Sequence, residues 1–441
     1  SAEALPGHLK HALRVVASRD VSRAAVGVYI PTVETTGYAL PMAVLETCVT
    51  DQPFIVDTIK MVLRRLEVRT LGTMNMILPV VRDAEGKLLR MDGEDSTARN
   101  ESFTCHLLSL SSVDGRLASI RERISHHLER AARVVDDFRA MRKLIRDVDS
   151  TLRYCAECMP ERAREFIEVA AFGDWLVSDH FVFMGAYGFD VQGRPTGRLG
   201  LGRYDAADRA GVETDPNEAF TGSAPLVTIQ QSRIDAPVHR EARMQEIRIR
   251  LFDGDGQPDG GVVFQGLFTY AALTSPASEV PVLRMRLGRM VAAEDLVPKS
   301  HRMKVFLSLF DRLPLSYTFA ASNTEIRSII NEGIDVDFGG VARVHAMVSP
   351  ARNVAHVFAI VAADRYGEKL RAEVQETLRV AFGADYVAFR MLAGKTEASV
   401  WYYLVQSDSE LQTADVDDLS ERIEALVSPW LERMRQMLRE S

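Results

Sequence analysis

Ala43-Val44-Leu45-Glu46-Thr47-Cys48-Val49-Thr50-Asp51-Gln52-Pro53-Phe54-Ile55-Val56-Asp57-Thr58-Ile59 is the stretch that decides the fold. Its first part, residues 43–49, is rich in Val, Leu, Thr and Cys and predicts a strand. Asp51-Gln52-Pro53 then supplies a helix start, with Asp as N-cap and Pro in the first turn. Ile55, Ile59, Val62, Leu63 and Leu66 fall on one stripe, so the helix runs to about Leu66. Further strands are expected at 68–81 and 103–111, separated by the polar, turn-rich stretch 83–100. An amphipathic segment covers roughly 117–153. Strand, helix, strand, strand, helix implies an antiparallel sheet covered by helices, an α+β arrangement.

Beyond this unit the texture changes. Helices are expected at 162–177, 282–294, 301–313 and 323–331, and strands at 181–189, 226–231, 246–252 and 262–269. Asp253-Gly254-Asp255-Gly256-Gln257-Pro258-Asp259-Gly260 joins the last two as a hairpin loop. A third block repeats the plan of the first without repeating its sequence: strands at 343–348 and 355–362, a helix at 367–382, strands at 386–392 and 399–406, and a closing helix at 415–439. The expected division is an N-terminal arm (1–38), a sheet-plus-helix domain with a long helical extension (39–152), a middle domain (153–338) and a second sheet-plus-helix domain (339–441).

Composition narrows the function. The 441 residues carry a formal net charge of -8, which provides no global basic field for a nucleic-acid backbone. Lys and Arg total 53, and only eight of these are Lys, so amine chemistry has few candidates. No apolar run approaches the ~18–20 residues of a membrane helix. The N-terminal Ser1-Ala2-Glu3-Ala4 lacks the pattern of a signal peptide, and four cysteines make no disulfide framework. The expected setting is the cytoplasm, with no nucleic-acid or membrane partner.

No motif assigns catalysis. Gly197, Gly200 and Gly202 lack dinucleotide spacing and read as a tight turn. Cys155-Ala156-Glu157-Cys158 has no second pair to complete a zinc site. The Asp253–Gly260 loop has Gln257 and Pro258 where a calcium loop needs Asp and Gly. None of the ten histidines sits in H-E-x-x-H. His126-His127 reads as a solvated helix face. His180, beside an apolar strand, reads as a hydrogen-bonded core histidine. His180, Arg233, His239, Arg240 and Arg284, together with Arg286, are candidates to line an anionic-ligand pocket in the middle domain, although an Arg-rich surface also produces such a set by chance. Asp51, Gln52, Pro53 and Phe54 form the most suggestive local feature. Backbone N–H groups at such a helix start can receive a carboxylate; the plain alternative is a well-capped helix.

From that turn onward the chain resembles a known family. Asp51-Gln52-Pro53-Phe54-Ile55-Val56-Asp57-Thr58 with Met61 is similar to the D-x-P-F-L-V-D-S…M segment of the large bacterial NAD-dependent glutamate dehydrogenases. Leu78-Pro79-Val80-Val81-Arg82-Asp83, Glu101-Ser102-Phe103 and Phe172-Gly173-Asp174-Trp175-Leu176 follow in the family's order. So do Asp179-His180-Phe181-Val182-Phe183-Met184-Gly185, Ser232-Arg233 and Pro237-Val238-His239-Arg240. Phe264-Gln265-Gly266-Leu267-Phe268-Thr269, Val280-Pro281-Val282-Leu283-Arg284, Ser300-His301 with Lys304, Ala363-Asp364-Arg365-Tyr366 and Trp430 continue the series. Arg302-Met303 stands where the family has Asp-Gly. The resemblance covers roughly residues 38–435.

It implies the long N-terminal region that bears ACT-type domains ahead of the catalytic core, so the two sheet-plus-helix domains would be ferredoxin-like ACT units flanking a mixed α/β middle domain. NAD would belong to the full-length parent and no cofactor to this segment. The implied partners are the rest of the parent chain, further copies of itself and an amino-acid effector. The alternatives are a free-standing amino-acid sensor and an enzyme site in the middle domain. The absent initiator Met and the stop within a helix read as a piece of a longer chain. One position departs from the pattern. Many amino-acid-binding ACT domains carry Gly after the Pro of the strand–helix turn; here the ring of Phe54 would fill the site, which shifts weight towards packing.

Overall fold

A computed structural model describes residues 5–17, 19–20, 23–203, 225–294, 296–337, 343–349, 353–362, 367–392, 398–407 and 409–427. The chain opens with α1 (Leu5–Ala17), β1 (Ala25–Tyr29), the single turn α2 (Val33–Thr36), β2 (Ala43–Thr50), α3 (Ile55–Arg65), β3 (Thr70–Arg82), β4 (Leu88–Met91), β5 (Arg99–Leu108) and the turn α4 (Leu110–Val113). These strands form one antiparallel sheet in the order β1-β2-β5-β3-β4. Alternation along β2 explains its two faces. Ala43, Leu45 and Val49 join Ile55, Ile59, Val62, Ile120 and Ile124 under α3 and the following long helix. Val44 and Cys48 point the other way, towards Ala12 and Val16 of α1. The segment expected as an arm therefore supplies both an edge strand and the cover of the second face. Its five-residue strand was too short to register as a periodic pattern.

That second face also holds a buried ion-pair cluster. Glu101, 3% exposed, receives both Nε and Nη2 of Arg82 at 2.8 and 2.7 Å, and Arg19 pairs with it as well. Burial alone would raise the Glu101 carboxyl, but the Arg82 hydrogen bonds and the Arg19 charge hold it below its ordinary value.

The helix α5 (Leu117–Cys158) runs 42 residues without interruption and ends beside α6 (Ala163–Trp175). Its buried positions change partners along its length. Ile120, Ile124 and Leu128 belong to the first sheet's core, and Met141, Ile145, Val148, Leu152 and Cys155 to the middle core.

The middle sheet contains β6 (Phe181–Phe189), β7 (Pro195–Gly200), β8 (Val227–Asp235), β9 (Arg243–Phe252) and β10 (Pro258–Phe268), in the order β7-β6-β10-β9-β8. The expected hairpin is present between β9 and β10, with Phe252 paired to Pro258. Helices α7 (Tyr270–Thr274), α8 (Leu283–Ala293), α9 (His301–Phe310), α10 (Leu315–Ala320) and α11 (Asn323–Asp337) follow.

The third block comprises β11 (Arg343–Val348), β12 (Val354–Ala362), α12 (Glu368–Phe382), β13 (Tyr386–Leu392), β14 (Ala398–Gln406) and α13 (Val416–Val427). Its antiparallel order, β11-β12-β14-β13, repeats the β1-β2-β5-β3 order of the first sheet. One face packs under α12 and α13 through Val357, Trp401, Tyr403, Val374 and Ile423. The other face sends Phe358, Ile360, Val400 and Tyr402 into the core of the middle block. The closing helix is described only to Val427. Ala363–Tyr366 and Trp430, two elements of the resemblance, lie outside the described residues. Among the described residues no helix is long and apolar enough to cross a membrane.

Candidate functional site

The turn from β2 into α3 differs in detail from the expected cap. Asp51 continues the sheet, its N–H donating to Asn100 O at 2.9 Å. The residue that caps α3 is Phe54, and it does so with φ 75° and no side-chain hydrogen bond. This left-handed conformation is the one glycine adopts freely, and it costs other residues about 1–2 kcal/mol. Phe54 thus takes the backbone conformation of a glycine at the position where the resemblance implies glycine in many amino-acid-binding ACT domains. Asp57 stands in the first turn of α3, where the helix dipole favours a carboxylate.

The turn is faced by the loop between β8 and β9. Ala236 N–H donates to Ala242 O at 2.7 Å and closes that loop. At its tip His239 is also left-handed, φ 73°, and its N–H donates to Oγ1 of the fully buried Thr58 at 3.2 Å. The rings of Phe54 and His239 lie 5.2 Å apart, and His239 Nδ1 is 3.7 Å from Asp57 Oδ2. Burial lowers the His239 pKa and outweighs the opposing charge of Asp57. Phe54 packs beside Ala131 and Val134 of α5 and Met184, Val238 and Leu267 of the middle block. Arg65, at the end of α3, reaches Asp235 at 3.3 Å and Glu241 at 3.6 Å. From α5, His127 donates Nδ1–H to Pro237 O, and burial lowers its pKa to about 4. His127 is therefore a docking residue rather than part of a solvated face; only the tertiary partner, invisible in helical spacing, reveals this.

The remaining candidates have separate partners. His180 donates from Nδ1 to Trp175 O at 2.9 Å and stacks on the Trp175 ring at 4.2 Å. Arg240 donates to Phe268 O at 2.6 Å. Arg284 pairs with Glu168 of α6 at 3.0 Å, and Arg286 donates to Asn323 Oδ1 and Ala321 O. Arg233 is on β8, and its side chain lies outside the described residues. The Gly200 N–H donates to Asp137 of α5 at 2.7 Å, in a strand end rather than a phosphate loop. Cys155 is buried against Phe252 O, and Cys158 is exposed; both are free thiols. A cavity of about 60 Å³ lies between β8, α10 and β12, lined in part by Gln231, Ser316, Asn353 and His356. That is well below the ~300 Å³ at which small-molecule sites begin.

Two family models match the chain: "Glutamate dehydrogenase, ACT1 domain" over residues 1–124 and "Glutamate dehydrogenase, ACT2 domain" over 343–431. NAD-specific glutamate dehydrogenase of Pseudomonas aeruginosa is 25% identical over 394 residues, covering 85% of this chain and 24% of the relative. The Halomonas elongata enzyme of the same name is 24% identical over 430 residues, covering 93% and 26%. That of Mycobacterium tuberculosis is 21% identical over 370 residues, covering 80% and 21%.

The chain resembles the large bacterial NAD-specific glutamate dehydrogenases along most of its length, and both of its domain matches carry that family's name.

It spans about a quarter of the length of these glutamate dehydrogenase relatives. The ACT1 match begins at residue 1 and so takes in α1 and β1, in keeping with the strand order of the first sheet. Sequence reasoning singled out the Asp51–Phe54 turn but not Thr58, Arg65 or His127, which complete its contact with the middle block. The available signal was the match of Pro237-Val238-His239-Arg240 to a glutamate dehydrogenase segment, which marks the loop without naming what it touches.

Proposed function

We propose that this chain is the regulatory and assembly region of a large NAD-dependent glutamate dehydrogenase. The parent enzyme would oxidatively deaminate L-glutamate to 2-oxoglutarate and ammonia in the cytoplasm, with NAD as hydride acceptor bound elsewhere in the parent chain. The observation that carries this reading is the shared strand order of the two ACT-matched blocks. Each has a strand–helix–strand–strand–helix core ordered 1-3-2 in its sheet, with an extra strand beside the first. That order supports two ferredoxin-like units flanking the middle domain. The role of the Asp51–Phe54 turn follows from its surroundings. With the Phe54 ring against His239, the turn serves as a docking contact between the first unit and the middle domain. An amino-acid effector would act by competing for that contact.

Self-association fits the same reading. Leu5, Leu9 and Leu13 form an exposed stripe on α1, each about half accessible. The test has two arms. The purified chain is expected to show no glutamate-dependent NAD reduction, and measurable turnover would overturn the proposal. Calorimetry against the twenty amino acids then separates roles: heat from one of them supports effector control, whereas silence from all leaves assembly alone.

A further inference from the structure

Between α1 and the outer face of the first sheet lies a second polar cluster that the docking contact does not use. Glu46 and Cys105 are cross-strand partners on β2 and β5, and both point towards α1. The Glu46 side chain is fully buried, in an environment where an uncompensated carboxylate is costly. Its Oε2 lies 2.9 Å from His11 Nδ1. Its Oε1 has no hydrogen-bond partner among the described residues. His8 sits one helical turn before His11, with Nδ1 3.6 Å from that oxygen and 3.1 Å from Tyr38 Oη, while its Nε2 lies 3.8 Å from Cys105 Sγ. Tyr29 Oη bridges Tyr38 Oη at 2.9 Å and His11 Nδ1 at 3.0 Å.

We propose that His8 Nε2, Glu46 Oε1 and Cys105 Sγ form a metal site for a single divalent cation of borderline softness, Zn²⁺ by donor set. Three ligand atoms, one from each of these residues, lie within 4.8 Å of one another. Zn–N and Zn–S bonds of about 2.0 and 2.3 Å in tetrahedral geometry bring such atoms to roughly 3.5 Å apart. An imidazole, a thiol and a carboxylate together disfavour Mg²⁺ and Ca²⁺, which take oxygen ligands. The surroundings are those of a metal site too. Ligating histidines generally commit their other ring nitrogen to a neighbour, and ligating carboxylates are themselves hydrogen-bonded. Here Tyr38 engages His8 Nδ1 and His11 engages the second Glu46 oxygen.

Burial, with a smaller contribution from the Glu46 charge, pushes the Cys105 thiol up to about 12. Binding therefore displaces one proton: the S–H bond breaks, the S–Zn bond forms and H⁺ passes to the buffer. Thiolate and carboxylate then balance the dication, and Glu46 Oε1 gains the partner it lacks among the described residues. The consequence is structural. Only Ala12 and Val16 of α1 are buried, and the cation would fasten that helix to two strands.

The test uses the whole chain, stripped by chelator and titrated with Zn²⁺ and, separately, Co²⁺. One equivalent should bind, with release of a proton and a rise in thermal midpoint. The Co²⁺ form should show thiolate-to-metal charge-transfer absorption. That band should vanish in Cys105→Ser and persist in the Cys155→Ser/Cys158→Ser double variant. Tyr38→Phe, which keeps the ring, should weaken binding about tenfold or more, and it carries the test if Cys105→Ser proves unstable. Absence of stoichiometric binding, a band that survives Cys105→Ser or depends on Cys158, or unchanged affinity in Tyr38→Phe would overturn the proposal.

Discussion

Phe54 shows how one residue can serve two constraints that conflict. Its backbone meets the demand of the strand–helix turn for a left-handed residue, while its ring meets the middle domain. Substitution separates the two contributions. Phe54→Ala loses the ring and keeps the backbone penalty, whereas Phe54→Gly loses the ring and escapes the penalty. The glycine variant should be the more stable of the two by about 1 kcal/mol, the reverse of their order inside a helix. Urea denaturation measures this, and an alanine variant that is the more stable would show that φ at this position relaxes. The sequence disclosed the turn through Asp-Gln-Pro, because local chemistry writes turns into the chain. It could not disclose the left-handed backbone of Phe54, since a bulky residue there is chosen for a distant partner. The same limit hid Glu46 and Cys105, which lie 59 positions apart and meet only through strand pairing.

At the scale of elements, those with a clear apolar period were legible, the edge strands β8, β11 and β13 included, and the short strands β1, β4 and β7 were not. Strand β2, helices α3 and α5, and the β9–β10 hairpin could all be read from spacing. Strands β4 and β7 have a single neighbour each, so neither needs two-sided apolar alternation. The crossing of α5 with α6 was also hidden, because it turns on a glycine. A Cβ added at Gly173 would lie 2.2 Å from Asp149 Oδ1, so any larger residue there would have to displace the buried Asp149 side chain.

Burial, then the neighbouring charge of Asp174, raises the Asp149 carboxyl to about 7. A folded pKa above the unfolded value contributes stability that is complete below about pH 4 and fades as the pH rises through about 7. Asp149→Asn should therefore gain stability at pH 8, on the order of 2 kcal/mol, and little at pH 4. Denaturant midpoints at the two pH values decide it. An equal change at both would remove ionisation as the cause.

At the scale of the molecule, the two ACT-matched blocks are attached differently despite their common plan. The third block contributes Phe358, Ile360, Val400 and Tyr402 to the middle core, which makes the two a single cooperative unit. Calorimetry should show residues 153–427 melting in one transition, and separate transitions for the middle and third blocks would contradict it. The first block keeps its own core and meets the middle domain through the Phe54–His239 contact and through α5. That helix, at about 1.5 Å per residue, is roughly 63 Å long. Because both ends are anchored in separate cores, it works as a lever. A tilt of about one degree at the first sheet displaces the far end by about 1 Å, given the rise per residue. A displacement of that size is comparable with the helix shifts that switch subunit interfaces, so a small disturbance at the Phe54 contact would reach the Asp149–Gly173 crossing as mechanical travel.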